Sequence, residues 1–159
     1  MPVFRFLRDR GDVLAAIAVG GALGSLARWG LAQAFPHPSD GFPWGTWIAN
    51  VSGGLAMGAL MAFVAAMAPH RLLRPFLGVG VLGGYTTFST YALDARTLTD
   101  AGAFPLAVTY VATTLVVGLL AVVAGLVLGR TAIGARHRLA RRHSGRRPHS
   151  DPDSDRSSR

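Results

Sequence analysis

The chain contains no cysteine, no lysine and no glutamate. Without cysteine, disulfides and thiolate metal sites are excluded. Without glutamate, aspartate is the only side-chain carboxylate left for acid–base or proton-coupled chemistry. Charge of either sign is scarce: 15% of the 159 residues are charged, against about a quarter in a typical soluble domain. Between Val13 and Gly129 only Arg28, Asp40, Arg71, Arg74, Asp94, Arg96 and Asp100 carry charge. A body this poor in charge, in a chain half hydrophobic, has the bilayer as its expected solvent.

What is present falls into four apolar segments, each near the roughly 20 residues that span a bilayer. They predict helices over 13–35, 44–68, 72–97 and 104–128, together a four-helix domain over 13–129. Pro36 and Pro38 stop the first and Pro69 stops the second. Short connections make neighbouring helices antiparallel. Residues 1–12 form a basic cytoplasmic N-terminus, and residues 130–159 an Arg-rich tail too poor in apolar surface to fold. The net charge of +8 sits on these flanks, which fits a cytoplasmic membrane flank better than a nucleic-acid-binding face. The first apolar stretch exceeds a signal-peptide core of roughly 7–15 residues and contains Arg28, so it is read as a retained helix.

Small residues recur four apart at Gly20 and Gly24, Gly54 and Gly58, Gly80 and Gly84, and Gly125 and Gly129. In lipid such pairs let helix backbones approach closely, so the four segments predict one bundle. With four spans, both termini and the second loop share a side. That side holds Arg5, Arg8, Arg10, Arg71, Arg74 and the nine arginines of the tail; only Arg28 and Arg96 count the other way. The bias predicts both termini in the cytoplasm for most copies, in the cell membrane.

The third segment carries the chemistry. Phe76 to Gly84 reads as apolar helix, then Tyr85-Thr86-Thr87-Phe88-Ser89-Thr90-Tyr91 interrupts it. Gly83 and Gly84 allow the backbone to leave helical geometry, and a helix broken at bilayer depth must offer its freed groups to a partner, a cavity or an ion. A continuous helix with back-bonded Ser and Thr is the competing reading. Asn50 in the second segment, Thr109, Tyr110, Thr113 and Thr114 in the fourth, and Arg28 in the first add polar groups to the apolar body. Each alone reads as interhelical glue; together they describe a polar track.

Gly83-Gly84-Tyr85-Thr86-Thr87-Phe88-Ser89-Thr90-Tyr91, with Gly45-Thr46-Trp47-Ile48-Ala49-Asn50, Gly53-Gly54-Leu55-Ala56-Met57-Gly58 and Gly20-Gly21-Ala22-Leu23-Gly24-Ser25-Leu26-Ala27-Arg28-Trp29, resembles the Fluc (CrcB) family of fluoride channels. The resemblance covers roughly Val13 to Gly129. It implies an all-α, four-helix membrane protein, not an enzyme, whose third helix is broken near its middle. It also implies an antiparallel dual-topology dimer that passes fluoride passively and confers fluoride resistance. Carbonyls of Gly83 and Thr86 would hold a structural, untransported sodium ion at the dimer centre. Phe88 would present its ring edge to fluoride, with Tyr91 at the position of a second phenylalanine. Asn50, Ser89, Thr90, Tyr110 and Thr114 would line the fluoride path, and Asp94 stands where the family usually has glutamate.

Tyr91 adds a hydroxyl that must find a partner or face the pore, and Asp94 shortens the acid by one methylene. The arginine bias also departs from dual topology. It favours a heterodimer with a second, similar chain inserted the other way, although a homodimer stays open. The alternative function is a small dual-topology, proton-coupled exporter of cationic drugs. It would need a carboxylate deep in the membrane, and Asp94 lies near the expected end of its helix.

Overall fold

Prolines set most of the helix boundaries. The first helix stops just before Pro36, and Pro43 precedes the first residue of the second. Pro75 and Pro105 occupy the second positions of their helices, where a missing N–H costs nothing. A computed structural model describes residues 10–67 and 70–144, with side chains through residue 135. Helix α1 spans Gly11–Ala34 and α2 spans Trp44–Met67. A π-helical stretch, Arg74–Leu82, runs directly into the short α3, Gly83–Tyr85; α4 spans Ser89–Asp100 and α5 spans Phe104–Ser144. The wide i→i+5 winding is rare over nine residues and is otherwise seen mostly as single turns at functional sites.

Three helices are long and apolar enough to cross a membrane: Gly11–Ala34, Trp44–Met67 and Phe104–Ala135. The expected third span is present as two halves on either side of an interruption, each too short to cross alone. The protein is therefore an all-α, multi-pass membrane bundle with three full spans and a broken third segment. Large apolar side chains such as Leu26, Trp29, Leu120 and Leu128 point outward, where lipid rather than protein is their solvent.

The bundle is built from two close pairs: α1 lies along the π-helical stretch and α3, and α2 lies along α5, which also carries α4. The glycines four apart are the contact points. A Cβ on Gly24 would overlap the carbonyl oxygen of Val81, and one on Gly84 that of Gly21. Across the other pair, a Cβ on Gly58 would overlap Val122 O and one on Gly125 Leu55 O. Backbone against backbone is thus the packing mode predicted for helices without a hydrophobic drive between them.

The connection from α4 to α5 is three residues, closed by Gly102 at φ 78°. Gly102 N–H donates to Thr99 O at 3.0 Å and Ala103 N–H to Leu98 O at 2.9 Å, the paired bonds of a Schellman cap. Helix α5 corrects the expectation that helix ends near Leu128 and a disordered tail follows: its backbone stays helical to Ser144. Apolar character fades after Gly129, but the first proline beyond it is Pro148, and Arg and Ala dominate the interval. These are strong helix formers, so helix outlasts hydrophobicity. Residues 1–9 of the basic N-terminus and residues 145–159 of the tail lie outside the described residues.

Candidate functional site

The interruption lies at Thr86, Thr87 and Phe88 rather than at the glycines before it. Gly83 is helical (φ −66°, ψ −34°), whereas Thr86 is extended (φ −80°, ψ 156°). Gly84 serves close packing instead of unwinding. What ends the helix is side-chain competition for backbone groups. Thr86 Oγ1 donates to Leu82 O at 2.9 Å, beside the backbone bond from Thr86 N to the same oxygen.

Asn50 of α2 grips the next residue, Thr87, from both sides. Its Oδ1 accepts from Thr87 N–H at 2.8 Å, and its Nδ2 donates to Thr87 O at 3.0 Å. Thr87 Oγ1 in turn accepts from Thr90 N–H at 3.1 Å, capping α4. The same hydroxyl donates to Thr90 Oγ1 at 3.1 Å and lies 3.3 Å from Ser89 Oγ. Gly53, one turn after Asn50, gives the interruption its room: a Cβ there would overlap Thr86 Cγ2.

Arg28 is neither free nor reaching toward lipid. Its Nε donates to Gly84 O at 3.2 Å, joined by Ser25 Oγ at 3.5 Å, so a cation covers a carbonyl at the C-terminal end of a short helix, where the dipole favours it. On the other side Ser52 Oγ donates to Ile48 O at 2.6 Å and meets Tyr85 OH at 2.9 Å. Nothing in the sequence singles out Ser25 and Ser52, because only the register between helices pairs them with the third segment.

A groove of about 650 Å³ opens beside the interruption. Asn50, Gly83, Thr86, Phe88, Tyr91 and Thr114 line it, with Leu115, Leu119 and Val122 along its apolar side. Phe88 is 80% exposed, with its ring 5.8 Å from that of Tyr91. Tyr91 continues to Tyr110 at 5.4 Å and Tyr110 to Phe42 at 5.5 Å, the last edge-on. Trp47 joins through Phe42 at 6.5 Å, and its buried Nε1 has no hydrogen-bond partner among the described residues. This run of rings leads from the interruption toward the α1–α2 connection. Phe42 and Trp47 were not expected in it, since an aromatic residue at a loop end or in the first turn of a helix carries no sequence signal for its distant partner.

The predicted track residues divide. Tyr91 OH donates to Val111 O at 3.3 Å, so the added hydroxyl finds a partner. Tyr110 is fully buried and donates to Asp94 Oδ2 at 3.3 Å. Asp94 sits mid-way along α4 rather than near a helix end. Thr114 Oγ1 donates to Tyr110 O at 2.7 Å, and Thr109 and Thr113 bond their own helix likewise. Asn50, Gly83, Thr86, Phe88, Tyr91 and Thr114 thus share one groove, while Arg28 approaches the interruption through Gly84.

A polar backbone exposed in a groove at the middle of a membrane bundle defines a class of protein: irregular structure at bilayer depth is tolerated where it lines a path or binds an ion. The family described as CrcB-like protein, Camphor Resistance (CrcB), matches residues 15–126. The chain is 48% identical over 127 residues to the fluoride-specific ion channel FluC 2 of Nocardia farcinica, an alignment covering 79% of this chain and 91% of that one. It is 47% identical over 114 residues to the fluoride-specific ion channel FluC of Paracoccus denitrificans, covering 72% and 91%. With FluC 2 of Thermobifida fusca the identity is 58% over 85 residues, covering 52% and 62%. The chain belongs to the CrcB family of membrane channels.

Proposed function

We propose that the protein is a passive, fluoride-selective channel that lowers cytoplasmic fluoride, working as an antiparallel dimer with a structural sodium ion at its centre. The observation that carries the reading is Phe88, an exposed ring at a helix interruption beside a largely apolar groove that Asn50, Thr86 and Thr114 enter, in a chain whose relatives are named fluoride-specific channels. An aromatic edge is electropositive, so it meets a small anion without the tight binding of a full charge, and weak multi-site binding is what conduction needs. Hydrogen fluoride crosses membranes and dissociates at neutral internal pH; a fluoride path without protons or ATP then drains the trapped anion down its electrochemical gradient.

The sodium ion would be held by the carbonyls of Gly83 and Thr86, hard oxygen ligands suited to a hard cation. These residues fit the role: both line the groove, and among the described residues no hydrogen bond reaches either oxygen. No group of three or more His, Asp or Glu gathers among the described residues, so backbone oxygen is the donor set on offer. A second copy, inserted the other way, would complete the coordination and cover the groove. The proton-coupled exporter finds little support, since Asp94 is engaged by Tyr110.

Purified protein in liposomes loaded with potassium fluoride tests the reading. A fluoride electrode should record valinomycin-dependent efflux, and Phe88→Leu should slow it at least about tenfold with unchanged assembly. Chloride efflux at the same rate, or efflux that demands a proton gradient, overturns it.

A further inference from the structure

In an unbroken helix each carbonyl accepts from the N–H four residues on. Gly83 O would accept from Thr87 N–H, and Thr86 O from Thr90 N–H. Both donors are present and both are engaged elsewhere: Thr87 N–H at Asn50 Oδ1, 2.8 Å, and Thr90 N–H at Thr87 Oγ1, 3.1 Å. The neighbouring carbonyls are occupied. Leu82 O accepts from Thr86 twice, Gly84 O from Arg28 and Ser25, Thr87 O from Asn50 and Phe88 O from Ala92 N–H. Among the described residues Tyr85 O also has no donor, but Tyr85 does not line the groove, whereas Gly83 and Thr86 do.

We infer that Asn50 and the Thr87 hydroxyl are positioning residues of the cation site. Each side chain takes a backbone donor that would otherwise quench a ligand, Asn50 for Gly83 O and Thr87 for Thr86 O. Asn50 also fixes Thr87, the residue directly after the Thr86 carbonyl, by its second bond, at 3.0 Å. The site exists because two side chains outcompete the helix for two N–H groups. The inference rests on the sodium reading above and assigns residues that touch no ion in it.

The test measures thermal stability of the detergent-solubilised protein across a sodium chloride series, with N-methylglucamine chloride holding ionic strength. Wild type should show saturable stabilisation by sodium. Thr87→Val, which keeps shape and removes the hydroxyl, should raise the half-saturating sodium by about 10-fold or more, the usual loss when a residue supporting a metal ligand is removed. Thr87→Ser, which restores the hydroxyl, should return it to the wild-type value. Asn50→Leu should weaken sodium similarly and decides the matter where Thr87→Val does not assemble. A wild type indifferent to sodium overturns the sodium reading itself. A sodium-responsive wild type whose half-saturation is unmoved in either variant overturns the positioning roles and leaves the sodium reading standing.

Discussion

Adjacent glycines in the third segment do opposite work, and the difference is measurable residue by residue. Gly84 lies against the backbone of Gly21, and an added Cβ would overlap Gly21 O. At Gly83 the nearest atom to an added Cβ is Gly78 O at 3.9 Å, an ordinary contact, and the residue lines the groove. Gly84→Ala should therefore destabilise the chain, by about 1–3 kcal/mol for overpacking against a neighbour that cannot yield. Gly83→Ala should leave folding of the single chain intact while narrowing the groove where the proposed sodium and second copy meet. Thermal unfolding in detergent checks the first, and comparing monomer with dimer by size-exclusion chromatography checks the second. A stable, dimeric Gly84→Ala protein contradicts the packing argument.

At the scale of elements, α4 is tied to α5 by side chains that replace the ties of a continuous helix. Tyr91 OH reaches Val111 O at 3.3 Å and Tyr110 OH reaches Asp94 at 3.3 Å. Tyr91→Phe removes one long bond that a neutral hydroxyl makes to an already helix-bonded carbonyl, so it should cost under about 1 kcal/mol. Because the ring contact with Phe88 is kept, fluoride efflux from liposomes should stay within about threefold of wild type. A loss as large as that of Phe88→Leu would place the hydroxyl in the ion path. Much of this element map was legible in the sequence. Proline and apolar length located α1, α2 and the start of α5, and the polar run located the interruption to within a few residues. Two features were not. The glycine pair suggested unwinding at Gly83 and Gly84, but helix termination is a competition among hydrogen-bond partners, and the partner that takes Thr87 N–H, Asn50, lies 37 residues from it. The end of α5 was misjudged because a fall in hydropathy marks where a membrane ends, while a helix ends where propensity or proline says so. The groove residues Asn50, Phe88 and Thr114 were foreseeable as polar or aromatic exceptions in apolar surroundings; the partners of their hydroxyls and amides were not, because they depend on register between helices.

At the scale of the whole molecule, charge decides how the chain enters the membrane. Asp12 at the start of α1 is ion-paired with Arg71 in the connection after α2, so the ends of the bundle that carry Arg10, Arg71 and Arg74 are one end. Arg96 and Asp100 pair at 3.4 Å, both exposed, within the last part of α4, and Arg28 is spent on Gly84 O. Only these two arginines count against a fixed orientation, whereas the basic end carries Arg10, Arg71 and Arg74 and continues into the Arg-rich stretch after Arg130. Arginine near the ends of spans holds its side in the cytoplasm, so most copies should insert with both termini inside. A dimer of antiparallel chains then lacks its second orientation unless another, similar chain supplies it. Tagging the C-terminus and labelling intact and permeabilised cells should show the tag protected until permeabilisation. Replacing Arg5, Arg8 and Arg10 by Ser should shift a measurable share outward. Fluoride efflux from cells expressing this chain alone should be weak, and should rise when a relative of reversed arginine bias is co-expressed. Equal labelling from both faces, with full efflux from the single chain, would instead mean that the basic flanks do not govern insertion and that the dimer is built from two copies of this chain.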